Sequence, residues 1–391
     1  MPVLASGTGH VGHGVGAGGH RLRPQGLDVV GFFTAEHGVG EAARGLVDTL
    51  LGAGVALNTI NYTDTESRTD HPYRTDDTYS HRVLFLALNA DHVAAARTRL
   101  DDEVFAGKYV IGQWFWELET PPPWFFDAFP LVDELWAPTR FIEQMLVKCC
   151  PPHVKVRYMP PAIGTPSTDR AITRQSLGVD AGRFFLFSFD LMSIAKRKNA
   201  VGLVNAFCHA FADGEGPTLV VKNINGDKRP SDLAELCEES STRSDVVVID
   251  RYMTRVEAST LTSLADCYVS LHRSEGLGLT IAEAIALGVP TIATAYSGNL
   301  DFMDEWDTWR VPCTMTRVGG GAGGYDPAAQ WAEPDLDAAA RMMREVWENP
   351  VAAREKADRA RVRLLESFST ERCGARMRAR LEEIWTELGR G

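Results

Sequence analysis

The sequence predicts an α/β protein of two Rossmann-like domains whose parallel sheets face each other across a cleft. Three observations carry that expectation. The chain has 391 residues, too many for one ordinary domain and comfortable for two. Short apolar runs alternate with helical patterns in two separate series. A stretch without periodicity and with three prolines, PPAIGTPSTDR (160–170), divides the series as a linker would.

In the first series the candidate strands are LDVVGFF (27–33), VALNTI (55–60), RVLFLAL (82–88), YVIGQWFW (109–116), VDELWA (132–137) and VKVRYM (154–159). The second holds FFLFSF (184–189), TLVVK (218–222), VVVID (246–250), CYVSL (267–271) and VPTIA (289–293). These runs lack the polar alternation of a half-solvated sheet, so parallel strands with helices on both faces are expected. Between the first two strands, Ala42, Ala43, Leu46, Val47, Leu50 and Leu51 share one helical stripe, and Gly52 and Gly54 stop it. The expected divisions are a disordered tail over 1–26, a first domain over 27–163 and a second over 164–371. VGGGAGG (318–324) reads as a mobile surface loop. An amphipathic helix near 375–388 carries Met377, Leu381, Ile384, Trp385 and Leu388.

Composition removes several classes of function. At 45% hydrophobic and 24% charged residues the chain reads as a soluble globular protein. Its net charge of −12 disfavours a nucleic-acid partner, which needs a basic face. No apolar stretch approaches the roughly 20 residues of a membrane helix. The first 25 residues are rich in Gly and His and lack the apolar run of a signal peptide. They read as a flexible tail, with metal binding by His10, His13 and His20 as the alternative. The seven cysteines show no metal-ligand spacing, and the adjacent Cys149 and Cys150 are badly placed to pair. Reduced thiols in a cytoplasmic protein are expected. No GxSxG elbow or Walker loop is present, which argues against serine hydrolases and P-loop enzymes.

Four segments could carry chemistry. In SEGLGLTIAEAIALGVPTIATAYSGN (274–299) a buried strand runs into a turn with Glu275, Gly276 and Gly278, and a helix opens near Thr280. Glycine lets backbone approach a ligand closely, and a helix start offers free N–H groups and a positive dipole end. Thr280 and Glu283 also match a T-x-x-E capping box, so Glu283 has a purely structural reading beside ribose binding. In FFLFSFDLMSIAKRKNAVGLVNAF (184–207), Lys196, Arg197 and Lys198 follow a strand and suit a diphosphate. TAEHGVGEAARG (34–45) places Gly38 and Gly40 in a loop after the first strand, where a phosphate or sugar could approach. It lacks the full dinucleotide fingerprint. GQWFWELETPPPWF (112–125) sets Glu117 and Glu119 among Trp114, Phe115 and Trp116, which either stack on a sugar or belong to the core.

The 274–294 segment, with Glu275 and Glu283, resembles the signature of the family 4 retaining glycosyltransferases of the GT-B fold. GVGEAARG, the RKN after the second domain's first strand and the YSGN loop follow in the expected order, and the resemblance covers the chain from about residue 27 onward. It implies transfer of a hexose from a UDP- or GDP-sugar to an acceptor hydroxyl, without cofactor or metal. Arg197 and Lys198 would hold the donor diphosphate, with Lys196 beside them. Backbone amides of Gly276, Leu277, Gly278, Leu279 and Thr280 would meet phosphate and sugar. Glu283 would bind the ribose and Glu275 the donor sugar. Gly38 and Gly40 would close over the donor, and the last helix (372–391) would pack back on the first domain. Two departures stand out. Many members carry Gly-Arg where this chain has Phe189-Asp190, and a His where it has Trp116-Glu117, which makes Glu117 the substitute first-domain contact. Residues 26–165 hold 11 Lys and Arg against 19 Asp and Glu. That balance favours a small-molecule acceptor over a lipid on an anionic bilayer. An epimerase or phosphorylase on the same fold, and more remotely a dinucleotide-dependent oxidoreductase, are the alternatives. The acceptor, the donor's base and the oligomeric state are left open by the sequence.

Overall fold

Strands β1 (Leu27–Gly31) and β3 (Val83–Ala87) are buried at every position, as strands sandwiched between two helical layers must be. They sit inside a six-stranded sheet, order β2-β1-β3-β4-β5-β6, with β2 (Leu57–Asn61), β4 (Tyr109–Gly112), β5 (Glu134–Ala137) and β6 (Lys155–Tyr158). A computed structural model describes residues 22–179 and 182–390. The second sheet runs β12-β11-β10-β7-β8-β9, built from β7 (Phe184–Asp190), β8 (Thr218–Ile224), β9 (Val246–Asp250), β10 (Cys267–Ser270), β11 (Thr291–Thr294) and β12 (Trp309–Val311). Neighbouring strands in both sheets are parallel. An antiparallel hairpin, β13 (Cys313–Arg317) and β14 (Gln330–Pro334), follows. β12 is too short, and the hairpin too polar, to stand out as apolar runs.

The helices of the first half are α1 (Gly38–Gly52), α2 (Ala90–Arg99), α3 (Pro123–Ala128) and α4 (Arg140–Cys149). The second half adds α5 (Ala195–Lys198), α6 (Ala200–Ala210), α7 (Pro230–Ser240), α8 (Arg255–Leu264), α9 (Leu279–Ala286), α10 (Leu336–Glu348), α11 (Pro350–Ser367) and α12 (Thr370–Gly389). Among the described residues no helix is long and apolar enough to cross a membrane. The α1 stripe is buried at Ala43, Leu46, Val47 and Leu50, but Leu51 is exposed, because the helix turns that position outward. Order begins before Leu27: Arg23 N–H donates to Ser80 O at 2.6 Å, and Gly26 O accepts from Trp385 Nε1. The tail histidines His10, His13 and His20 lie outside the described residues. All seven cysteines are free thiols.

The chain crosses back at its end. Met377, Leu381 and Ile384 of α12 join the first sheet's apolar layer with Leu27, Val29, Leu46 and Leu50. Arg380 reaches between them to Glu134 on β5, at 2.7 Å from Nη2 to Oε2. Glu134 is wholly buried and also accepts from Trp136 Nε1 at 2.9 Å and Tyr109 Oη at 3.0 Å. A second buried cluster lies at the start of β1. Burial would raise the Asp28 carboxyl, but bonds from His81 and Lys108 hold it at about 2.

Arg380→Met leaves the Glu134 charge buried without its cation. It should cost on the order of 3–5 kcal/mol in urea unfolding, and the double variant with Glu134→Gln should recover most of that. Equal stability of the two variants would show that the ion pair does not hold α12.

Candidate active site

Both sheets point the carboxyl ends of their strands into one cleft, the place where open α/β sheets bind ligands. The loop after β7 turns through Ile194, at φ 63°, into the single turn α5. Asn199 then takes the left-handed conformation, φ 56°, that asparagine tolerates better than most residues, and α6 begins. Its amide donates to Leu271 O at 2.9 Å, fastening this loop to the end of β10. The asparagine of the RKN motif is therefore a fastener.

Arg197, from α5, is 4% exposed and reaches across to the turn after β10. Its guanidinium donates to Ser274 O at 2.8 Å and Ser193 O at 3.0 Å, and stands 3.2 Å from Glu275 Oε2. Lys198 Nζ lies 2.5 Å from Glu275 Oε1. Burial alone would raise the Glu275 carboxyl, but Lys198 and Arg197 together bring it down to about 2. The Nε–H of Arg197 is buried without an acceptor. Lys196 is separated from this pair: its side chain is exposed and donates to Gly320 O at 3.1 Å.

The turn itself is built by glycine. Gly278 caps α9 at φ 83°, a conformation that strains any side chain. The N–H groups of Leu279 and Thr280 have no acceptor among the described residues, leaving an open, positively polarised helix start beside Glu275. The YSGN loop supports the turn from behind. Ser297 Oγ accepts from Glu275 N at 2.8 Å, and Gly298 N–H donates to Glu275 O at 2.9 Å. A side chain at Gly298 would collide with Gly276 O. Asn299 faces the buried His272, 3.1 Å from its Nε2.

The capping box that Thr280 and Glu283 match in sequence does not form. Thr280 lies inside α9, whose cap is Gly278 with no side-chain bond, so Glu283 falls in the second turn. Glu283 is instead bonded by Arg255 Nη2 at 2.6 Å, and Arg255 Nη1 stands 3.2 Å from Glu41 on α1. Burial raises the Glu283 carboxyl, Arg255 opposing it. A true capping box occurs at Thr254 and Glu257, where α8 opens. Arg255, the link between Glu283 and the first domain, gave no signal in sequence beyond its place after β9.

From the first domain, Glu117 is brought to the same cluster. Its carboxylate lies 3.6 Å from Arg197 Nη2 and accepts from Tyr325 Oη at 2.9 Å, while its carbonyl accepts from Ser274 Oγ. Glu119 is apart, on the surface beside Tyr296 and Lys148. Trp114 is fully buried core, whereas Trp116 packs edge-on against Tyr325 at 5.3 Å between ring centroids. Tyr325 follows the glycine-rich segment 318–324, which is a seated cap: Val318 and Ala322 are buried with Leu118 and Trp331. Gly40 is required because a side chain would strike Ala35 O and Phe32 O, while Gly38 stands in open space. His37 caps α1, its Nδ1 accepting from Gly40 N at 3.1 Å, so its proton sits on Nε2. Burial, then Arg44 and His92, lowers it to about 4 and keeps it neutral. Among the described residues no group of three or more His, Cys, Asp or Glu side chains is placed to hold a metal ion.

Paired Rossmann-like domains that meet across such a cleft have the GT-B architecture of glycosyltransferases. The chain belongs to the family 4 glycosyltransferases in conflict systems, whose family profile matches residues 164–377. Among solved structures, sucrose-phosphate synthase from Thermosynechococcus elongatus superposes with a TM-score of 0.65 at 14% identity, over 93% of this chain and 100% of the other. HepE of Anabaena, solved with UDP-glucose, gives 0.67 at 11% identity over 92% of this chain and 100% of its own. The pneumococcal O-GlcNAc transferase GtfA, solved with UDP and GlcNAc, gives 0.54 at 17% over 77% of this chain and 56% of that one. At such identities the likeness is one of fold. No curated protein sequence matches the chain.

Lys198→Met leaves Glu275 with Arg197 and the weaker influence of His272, so its carboxyl should move up from about 2 towards its ordinary 4.5. A depressed carboxyl gives stability that is present above 4.5 and lost as pH falls towards 2. The variant should therefore lose less stability on acidification through that window, although it is less stable at neutral pH. An unchanged Glu275 titration by carbon-detected NMR would show that Lys198 does not set the charge of this carboxylate.

Proposed function

We propose that this glycosyltransferase moves a hexose from a UDP- or GDP-sugar to an acceptor hydroxyl with retention of anomeric configuration. The observation that carries the reading is the convergence of Arg197 and Lys198 with Glu275 beside the open start of α9. Two cations and free N–H groups suit the negative charge that grows on a departing diphosphate. The solved complexes of HepE with UDP-glucose and of GtfA with UDP and GlcNAc support a nucleotide sugar as donor.

In this mechanism the donor's sugar lies against Glu275 and its diphosphate against Arg197, Lys198 and the amides of Gly276, Leu277, Gly278, Leu279 and Thr280. Glu283 takes the ribose hydroxyls once Arg255 yields it. The glycosidic C–O bond to the diphosphate breaks as the acceptor oxygen bonds to the anomeric carbon on the same face. The leaving phosphate oxygen takes the acceptor's proton. No protein nucleophile is used, and Glu117 orients Arg197 from the first domain. The acidic first domain favours a small-molecule acceptor.

Glu283→Gln should weaken nucleoside diphosphate binding by on the order of 1–2 kcal/mol, as a neutral hydrogen bond replaces a charge-assisted one. Its effect on the melting temperature should be small, since Glu283 caps nothing and the half-exposed Arg255 keeps Glu41 as a partner. Glu275→Gln should keep most of that affinity and lower kcat about a hundredfold, measured well below its own melting temperature. Normal turnover of Glu275→Gln would remove Glu275 from the site. A panel of nucleotide sugars, assayed for released nucleoside diphosphate, should give turnover that persists in excess EDTA. Activity lost in EDTA and restored by magnesium or manganese would overturn the assignment of charge neutralisation to Arg197 and Lys198.

A further inference from the structure

Lys222 stands apart from every other cation near the cleft. It lies on β8, paired in register with Ser188 on β7 and Ile249 on β9, two residues before the strand ends. It is 7% exposed, and its side chain forms no hydrogen bond or ion pair with any described residue. Its Nζ is not sealed from solvent, but an ammonium so largely removed from water and left unpaired is costly. The two carboxylates that act on it through space, Asp190 and Asp250, are engaged elsewhere. Asp190 accepts from Met192 N at 2.9 Å and Asn225 Nδ2 at 2.7 Å. Asp250 accepts from Asn223 Nδ2 at 2.6 Å and Gly226 N at 3.3 Å. Burial, offset in part by Asp190, brings Lys222 down to about 8.

Its place in the sheet says what it meets. In the order β10-β7-β8-β9, Glu275 follows β10, Arg197 and Lys198 follow β7, and Tyr252 and Arg255 follow β9. A donor with its sugar at Glu275 and its diphosphate beyond β7 lays its nucleoside over β8 and β9. Asp190, the next residue along on the face that Ser188 and Lys222 share, is near enough to His37 of the first domain to act on its charge, so this corner borders the cleft. Tyr252 closes the far side through Asn225, its hydroxyl 2.6 Å from Asn225 Oδ1.

We infer that Lys222 reads the donor's nucleobase, accepting a base with a keto oxygen at the edge it meets (uracil O4, guanine O6) and rejecting one with an amino group there (cytosine N4, adenine N6). An ammonium has three donors and no acceptor, so a keto oxygen satisfies it and an amino group opposes it. A buried site built to bond one group rejects an analogue that leaves the site unpaired. This assignment rests on the nucleotide-sugar reading above.

Calorimetric titration of the full chain with UDP, CDP, GDP and ADP tests it. UDP should bind at least about tenfold tighter than CDP, or GDP than ADP, the scale of one hydrogen bond to a charged group. Lys222→Met should close that gap to less than about threefold while still binding inorganic pyrophosphate as the parent does. Wild-type protein that binds CDP like UDP and ADP like GDP overturns the inference, whether or not the variant folds. So does a folded Lys222→Met protein that keeps the keto preference. Binding of none of the four nucleotides to the wild type would instead defeat the nucleotide-sugar reading itself.

Discussion

One guanidinium organises the cleft. Arg197 touches the end of its own loop at Ser193, the turn after β10 at Ser274, the carboxylate of Glu275 and, from the other domain, Glu117. Glu117 in turn holds Tyr325 of the glycine-rich cap. A planar group with five donors can serve several acceptors at fixed angles, which a lysine could not. Because it is buried, every partner must stay in place for its charge to be tolerated, so one side chain couples the β7 loop, the α9 turn, the first domain and the cap.

The two sides of the cleft also meet through charge. Arg255 lies between Glu41 and Glu283, so the carboxylate assigned to the ribose is already occupied by a cation that the first domain shares. Thr139 Oγ donates to Gly276 O at 3.0 Å, and the Arg140 N–H to Asp301 Oδ2 at 3.0 Å.

Asp190 shows how a departure from the family pattern is absorbed. Where many members have an arginine after the β7 strand, this chain has a carboxylate that caps its own turn and fixes Asn225, which sits at φ 65°. The cation at that corner comes instead from Lys222, inside the neighbouring strand. Positive charge at this corner is thus supplied from β8 rather than from the end of β7.

The periodicity of the chain was enough to determine two parallel sheets, the linker between them and the Gly-turn with Glu275, because apolar strand patterns and glycine turns are local properties of a segment. Arg197 and Lys198 were legible for the same reason, as cations at a strand's end. The fate of each neighbour was decided only by tertiary structure. Lys196 points to Gly320, Glu283 escapes a capping box because α9 starts at Leu279, and Trp114 goes to the core while Trp116 meets Tyr325. Tyr325, Arg255 and Lys222 could not be found from spacing, since each acts on residues distant in sequence. Their roles depend on which loops the sheet order brings side by side, and a strand's period says nothing of that.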